Sequence, residues 1–288
     1  MFSIYLIICI TADLVITVEN NLLVTVGDIW RPLLVFVLLF ACCIIIHAIG
    51  ISALSLFAPK GKSFGRFDNF FRRVTIETID FIMKVVKAKV HVTGIEKLPE
   101  NERFLLVGNH RSVFDPMIEM SVLRDCELAF VSKKENINLP FFGRLMLASG
   151  CLALDRENNR EAVKTIMQAS KRLSEDCCSM GIYPEGGINK TENVLLPFHN
   201  GSFKIAKKAG APLVISTIRN TERLCKRFFL FSTDIYLDII QVIPAEEVAQ
   251  MTTAQLSDIA YSVMYDHLCS RVIPDGNTES EGARFSFR

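Results

Sequence analysis

The run from Pro32 to Phe57, PLLVFVLLFACCIIIHAIGISALSLF, contains no Asp, Glu, Lys or Arg, and it constrains this chain more than any other feature. As a helix it would measure roughly 39 Å, longer than the ~30 Å hydrocarbon layer of a bilayer. It is therefore read as a transmembrane helix with slack for tilt. Lys60, Lys62, Arg66, Arg72 and Arg73 follow it, whereas Arg31 on the other side is offset by Glu19 and Asp28. That asymmetry places the bulk of the chain on the cytoplasmic face. An earlier stretch, FSIYLIICITADLVITV, is shorter and interrupted by Asp13. It reads equally as a first membrane helix paired with the second or as an interfacial segment. Lacking a basic n-region and a small-residue cleavage site, it does not read as a cleaved signal peptide.

The 288 residues carry a net charge of +1, so nothing in the charge balance points to nucleic acid. The nine cysteines show no CxxC pair and no His/Cys ligand spacing, so neither a metal site nor a disulfide framework is expected. After the apolar N-terminal segment (1–57), FGRFDNFFRRVTIETIDFIMKVVKAKV sets Phe67, Phe70, Phe71, Val74, Phe81, Ile82 and Val85 near helical spacing, with the arginines off that stripe. This marks an amphipathic helix in region 58–87, either lying at the membrane interface or packing on the core. Across 88–273, KVHVTG, RFLLVGN, ELAFVSK, CLALDR, MGIYPEG, PLVISTI and YLDIIQVI read as strands, alternating with helices near 115–123, 141–149, 159–175, 201–209 and 253–271. The fold class is α/β, a mixed sheet covered by helices. The polar tail 274–288 is expected to be disordered. Neither GxGxxG nor GxxxxGK[ST] occurs, so the chemistry must be sought in the loops at strand ends.

The stretch GNHRSVFDP follows the RFLLV strand. His110 falls at the strand's C-terminal edge and Asp115 opens the next helix. A carboxylate at that spacing can accept the proton of one imidazole nitrogen and leave the other as a base toward a hydroxyl. Asp115 before Pro116 would equally serve as a helix cap. Ser112 lies between them without a GxSxG elbow, so direct attack by an acceptor activated at His110 is simpler than an acyl-enzyme. Arg156 could fork onto a phosphate or pair with Asp155 or Glu157. The PEGG turn, Pro184 to Gly187, can bring backbone N–H groups to an anion or an oxyanion. Lys133 and Lys134 either face solvent or meet a phosphate.

Taken together, these stretches resemble the 1-acylglycerol-3-phosphate acyltransferase family of membrane-bound glycerophospholipid acyltransferases. The family's His-x-x-x-x-Asp block is matched by His110 and Asp115. Its Pro-Phe-x-Gly block and Asp-Arg strand end are matched by Pro140, Phe141, Gly143, Gly150, Asp155 and Arg156. Its aromatic-Pro-Glu-Gly-Thr-Arg turn is matched by Tyr183, Pro184, Glu185 and Gly186, and its late strand-opening proline by Pro212. The resemblance covers roughly residues 88–245. It implies transfer of a fatty acyl group from acyl-CoA or acyl carrier protein, as co-substrate and with no cofactor, to the hydroxyl of a lysophosphatidic acid at the membrane. His110 would be the base, Asp115 its orienter and Arg156 a phosphate ligand, with Lys133, Pro184, Glu185, Gly186 and Gly187 also at the substrate. The chain departs from the pattern at Gly187 and Ile188, where Thr-Arg is usual. That keeps two alternatives open, another lysolipid acceptor and a lipid-binding protein without turnover; a hydrolase using Ser112 is a further alternative that lacks an elbow and a third triad member.

Overall fold

The computed structural model describes residues 2–58, 69–139, 142–227, 231–270 and 283–287. The chain opens with two antiparallel helices, α1 (Phe2–Glu19) and α2 (Trp30–Ser55). Their register is fixed at two levels, by the Tyr5 hydroxyl 3.0 Å from His47 Nδ1 and by the Cys9 and Cys43 sulfurs 3.6 Å apart. The first apolar stretch is thus a helix docked on the second. Among the described residues, one helical stretch, Val26–Ser55, is long and apolar enough to cross a membrane.

Then come α3 (Asn69–Val85), β1 (Ala88–Thr93), β2 (Leu105–Val107), α4 (Asp115–Val122), β3 (Ala129–Lys133), α5 (Lys134–Ile137), α6 (Phe142–Ala148) and β4 (Leu152–Leu154). They are followed by α7 (Asn159–Ser174), β5 (Met180–Ile182), α8 (Lys204–Ala209), β6 (Leu213–Arg219), α9 (Glu222–Arg227), β7 (Thr233–Ile243), α10 (Ala245–Gln250), α11 (Thr253–Ser270) and β8 (Ala283–Phe285). The strands form one eight-stranded sheet in the order β4-β3-β5-β2-β6-β7-β1-β8. The five strands from β4 to β6 run parallel, β7 is antiparallel to β6 and parallel to β1, and β8 is antiparallel to β1. The mixed α/β sheet expected from the alternating runs is what forms.

Strand side chains alternate between faces, which splits the core in two. Phe104 and Leu106 point to one side, where α3 and α4 supply Ile76, Ile79, Met83, Ile118 and Val122. Leu105 and Val107 point to the other, covered by α7, α8, α10 and α11 through Leu173, Ile205, Val248, Leu256 and Met264. Each side chain of this size contributes about 1.5–3 kcal/mol on full burial, so the central β2 is held from both faces.

Two expectations are corrected. Of the two placements open for α3, core packing is the one that forms, and the expectation that its arginines lie off the buried stripe is what is corrected: Arg72, Thr75 and Asp80 are buried beside Ile76, Ile79 and Met83, while Phe71 packs against α6. The stripe was obscured because its polar members find partners inside: Arg72 Nη1 donates to the Leu128 carbonyl, Thr75 to the Phe71 carbonyl, and Asp80 accepts from Ser121 and Arg124. Arg72 is therefore no flanking surface cation, and Lys60, Lys62, Arg66 and Phe67 lie outside the described residues. On its far side α3 meets the N-terminal hairpin, with Phe81 against Tyr5 and His47 at ring separations of 5.7 and 4.7 Å. The second correction is in the tail. Ala283–Phe285 pairs with β1, and Phe287 is buried against the α3 side of the core, because two aromatic residues in a polar tail suffice to seat a short edge strand.

Candidate active site

β2, β3, β4, β5 and β6 end on the same edge of the sheet, and the chemistry-bearing residues lie just beyond those ends, where parallel strands release their loops. Past β2, the side chain of Asn109 continues the ladder: its Nδ2 donates to the Ile218 carbonyl at 2.9 Å, and the Ile218 N–H donates to its Oδ1 at 2.8 Å. This fixes the residue immediately before His110.

His110 Nδ1 lies 2.9 Å from Asp115 Oδ2. A carboxylate only accepts, so Nδ1 carries the proton and Nε2 is the basic nitrogen. Asp115 is fully buried, and the same oxygen accepts the N–H groups of Arg111 at 2.7 Å and Ser112 at 2.8 Å. Its bonds run back to its own loop, so it is no cap for α4. Pro116 follows at a helix position that needs no N–H partner. The Ser112 hydroxyl accepts from the Phe114 N–H at 3.3 Å, which leaves it a structural residue of the loop. The His110 side chain is 15 % exposed, enough to present one edge outward.

The turn after β5 closes around this loop. The Gly186 N–H donates to the Tyr183 carbonyl at 3.0 Å, and Gly186 adopts φ +75°, where a side chain would also meet the His199 ring at 2.8 Å. Glu185 is buried, with Oε1 accepting the His110 N–H and Oε2 the Leu196 N–H, both at 2.8 Å. Burial pushes its carboxyl up from the ordinary range, opposed by those two hydrogen bonds. With both oxygens occupied, Glu185 ties the two loops together beside His110. Pro184 is likewise buried, its carbonyl accepting the His199 N–H at 2.8 Å.

Arg156 does join the turn: a Cβ built on Gly187 would lie 3.8 Å from Arg156 Nη1. Asp155 pairs with Lys134 at 2.9 Å and accepts the N–H groups of Glu157 and Asn158, while Arg156 takes no ion-pair partner among the described residues. A groove of about 250 Å³ runs between Lys133–Glu135, Asn138 and Asp155–Glu157. Lys133, 3.4 Å from Glu135 and half exposed, stands on its rim. Ile188 is partly exposed beside the turn. Pro140 and Phe141 lie outside the described residues.

Sequence reasoning missed the support beneath His110. The Tyr183 ring stacks on the imidazole at 4.1 Å and 4° from parallel, and its hydroxyl donates to Glu119 Oε2 at 2.6 Å. Glu119 is fully buried and its carboxyl is pushed up to about 8, by burial first and by the Asp115 charge, against the hydrogen bonds from Tyr183 and Ser216. An acid between Ile118 and Met120 on a short helix was the available signal.

Residues 89–219 match the model of the Acyltransferase family, covering β1 to β6 and every loop just described. That segment is similar to acyltransferase domains. It is 36% identical over 122 residues to the 1-acyl-sn-glycerol-3-phosphate acyltransferase of Haemophilus influenzae, covering 41% of this chain and 50% of that protein. The chain thus spans about half the length of that relative. To the beta form of the same enzyme from Homo sapiens it is 25% identical over 226 residues, 73% of this chain and 79% of the human one. The crystal structure of the 1-acyl-sn-glycerophosphate (LPA) acyltransferase of Thermotoga maritima superposes with a TM-score of 0.60 at 19% identity, covering 81% of this chain and 91% of that one, which shows a shared fold. The matched family model and these relatives agree with the family resemblance read from the four sequence blocks.

Proposed function

We propose that the protein transfers a fatty acyl group from a thioester, acyl-CoA or acyl carrier protein, to the free hydroxyl of lysophosphatidic acid, giving phosphatidic acid. The observation that carries this reading is the His110–Asp115 pair, with Nδ1 committed to a buried carboxylate and Nε2 left as base. Nε2 takes the acceptor's hydroxyl proton as its oxygen attacks the thioester carbonyl. The C–O bond forms, the C–S bond breaks, and the proton held on Nε2 passes to the departing thiolate. The N–H groups of Gly187 and Ile188 have no hydrogen-bond partner among the described residues and are the donors offered to an oxyanion or a phosphate. Arg156 supplies the fork for the acceptor phosphate, with Lys133 across the groove.

The membrane reading rests on the N-terminal hairpin. Ile4, Ile7, Ile8 and Leu14 on α1 and Leu33, Leu38, Ile45, Ile46 and Ile49 on α2 are all exposed, a continuous aliphatic surface suited to lipid. With the hairpin in the bilayer and the acyltransferase domain on the cytoplasmic face, a lipid acceptor meets the domain at the membrane.

A second reading is favoured by Gly187 and Ile188. With one guanidinium in the phosphate site, an acceptor with a less charged head group fits as well. Detergent-purified protein incubated with labelled acyl-CoA and a panel of lysolipids tests both. Phosphatidic acid as the dominant product supports the first reading, and a preference for a zwitterionic lysolipid the second. Hydrolysis of the thioester without any acylated lipid defeats both.

A further inference from the structure

We propose that Glu119 is a positioning residue for acyl transfer: acting through the Tyr183 hydroxyl, it fixes the ring against which His110 is stacked. The proposal rests on His110 being the base.

Asp115 constrains His110 at one atom, Nδ1, which leaves the imidazole free to tilt about the Nδ1···Oδ2 line and swing Nε2 away from the acceptor. A face contact removes that freedom. Tyr183 provides it at 4.1 Å and 4°, and is itself backed by Phe130, whose ring is 5.3 Å away and 18° from parallel. The far end of Tyr183 is pinned by its 2.6 Å bond to Glu119 Oε2. Glu119 sits one helical turn after Asp115 on α4, so one short helix presents both the in-plane and the face restraint. Its other oxygen, Oε1, lies 3.2 Å from the Ser216 hydroxyl on β6, which also reaches the Val107 carbonyl at 3.3 Å.

The backbone makes room for this arrangement. A Cβ on Gly108 would lie 2.9 Å from Ser216 Oγ and 3.3 Å from Glu119 Oε1. Gly108 is not among the glycines with positive φ, so what the residue supplies is space for the carboxyl and hydroxyl, two positions before His110. A leucine or methionine at 119 would fill the interior without the desolvation cost of a fully buried acid. What the acid adds is an acceptor aimed at the tyrosine.

The test uses Tyr183→Phe, Glu119→Gln, Glu119→Leu and the double Tyr183→Phe/Glu119→Leu in the full chain, with His110→Ala beside them. Loss of one ordering hydrogen bond is expected to lower kcat about fivefold in Tyr183→Phe, with both KM values unchanged. Glu119→Gln keeps an amide oxygen for the tyrosine hydroxyl and is expected to hold kcat within about twofold. Glu119→Leu should match Tyr183→Phe, and the double variant should be no slower than either, since both cut the same link. Wild-type kcat in Tyr183→Phe, multiplying losses in the double variant, or a change confined to KM overturns the proposal. If Glu119→Leu does not fold by circular dichroism, the contrast between Tyr183→Phe and Glu119→Gln decides alone. Substantial turnover in His110→Ala would sink the base assignment itself, whereas an inactive His110→Ala beside a fully active Tyr183→Phe sinks only the role of Glu119.

Discussion

Among the described residues, two histidine–aspartate pairs have a buried carboxylate, and their surroundings differ. In one, His110 meets Asp115 through Nδ1 at 2.9 Å; in the other, His267 on α11 meets Asp238 on β7 through Nε2 at 3.1 Å. Asp115 is supported by backbone N–H groups of its own loop, whereas Asp238 is surrounded by side chains, with Thr93 donating at 2.6 Å and Arg219 pairing at 3.1 Å. Burial alone would push Asp238 up, but His267, Thr93 and Arg219 outweigh it and bring it down to about 2. The second pair is a neutralised tie between a helix and three strands. The first has no arginine closing the carboxylate, and its distal nitrogen takes no hydrogen-bond partner among the described residues. A His–Asp contact therefore becomes a catalytic candidate through what else touches the carboxylate and which ring nitrogen remains.

The sharpest way to break this contrast is to exchange consequences between the pairs. His110→Ala should lower acyl transfer by ~100- to 10,000-fold with the melting temperature preserved, and Asp115→Asn should be severely impaired too. His267→Ala should leave turnover within about twofold and lower the melting temperature instead. Steady-state rates and thermal melts on the three variants decide it, and comparable rate losses at both histidines would erase the distinction.

Glu119 extends the comparison to a carboxyl held in its protonated form. Its folded value of about 8 lies above the ordinary 4.5, so the folded state retains the proton and stability falls as pH rises between those values. Urea unfolding from pH 5 to 9 should show Glu119→Gln losing on the order of 4 kcal/mol less than wild type over that range. Equal slopes would mean the acid is not protonated in the folded state.

Asp238 runs the opposite way. With its folded value lowered from 3.8 to about 2, it contributes stability that is fully present above pH 3.8 and is lost as pH falls toward 2. Asp238→Asn should cost about 2 kcal/mol at pH 7 and little near pH 2, read from denaturant midpoints. A cost independent of pH would assign the residue a packing role.

The smallest effect concerns the acceptor. Arg156→Ala should raise the apparent KM for lysophosphatidic acid more than for lysophosphatidylcholine. Ile188→Arg should lower the former by up to about tenfold, since one charge-assisted hydrogen bond is worth ~1.5 kcal/mol. Acceptor titrations with both lipids check it, and indifference of both variants to the head group would remove the phosphate from this site.

What was legible in the sequence followed from local rules. Seven strands announced themselves as apolar runs between turn residues, and the five-residue spacing of His110 and Asp115 spans one loop, so their meeting could be read directly. Arg156 could be placed near the turn only through the family's motif order. The Tyr183–Glu119–Ser216 chain could not be read, since its links join residues 64 and 97 positions apart from three separate elements. The face of α3 was misread because buried Arg72, Thr75 and Asp80 look like solvent-facing residues until their partners are known. The two backbone donors of Glu185 could not be read either, because a motif records which residue recurs without recording what its oxygens accept from.

The short strand β8 has a practical corollary. β1 lies between β7 and β8, and without Ala283–Phe285 its outer row of amide and carbonyl groups would be bare. An open row of that kind is a template for a neighbouring molecule. A chain cut after Ser270 would keep every residue of the proposed acyl-transfer site and still be expected to clump during purification.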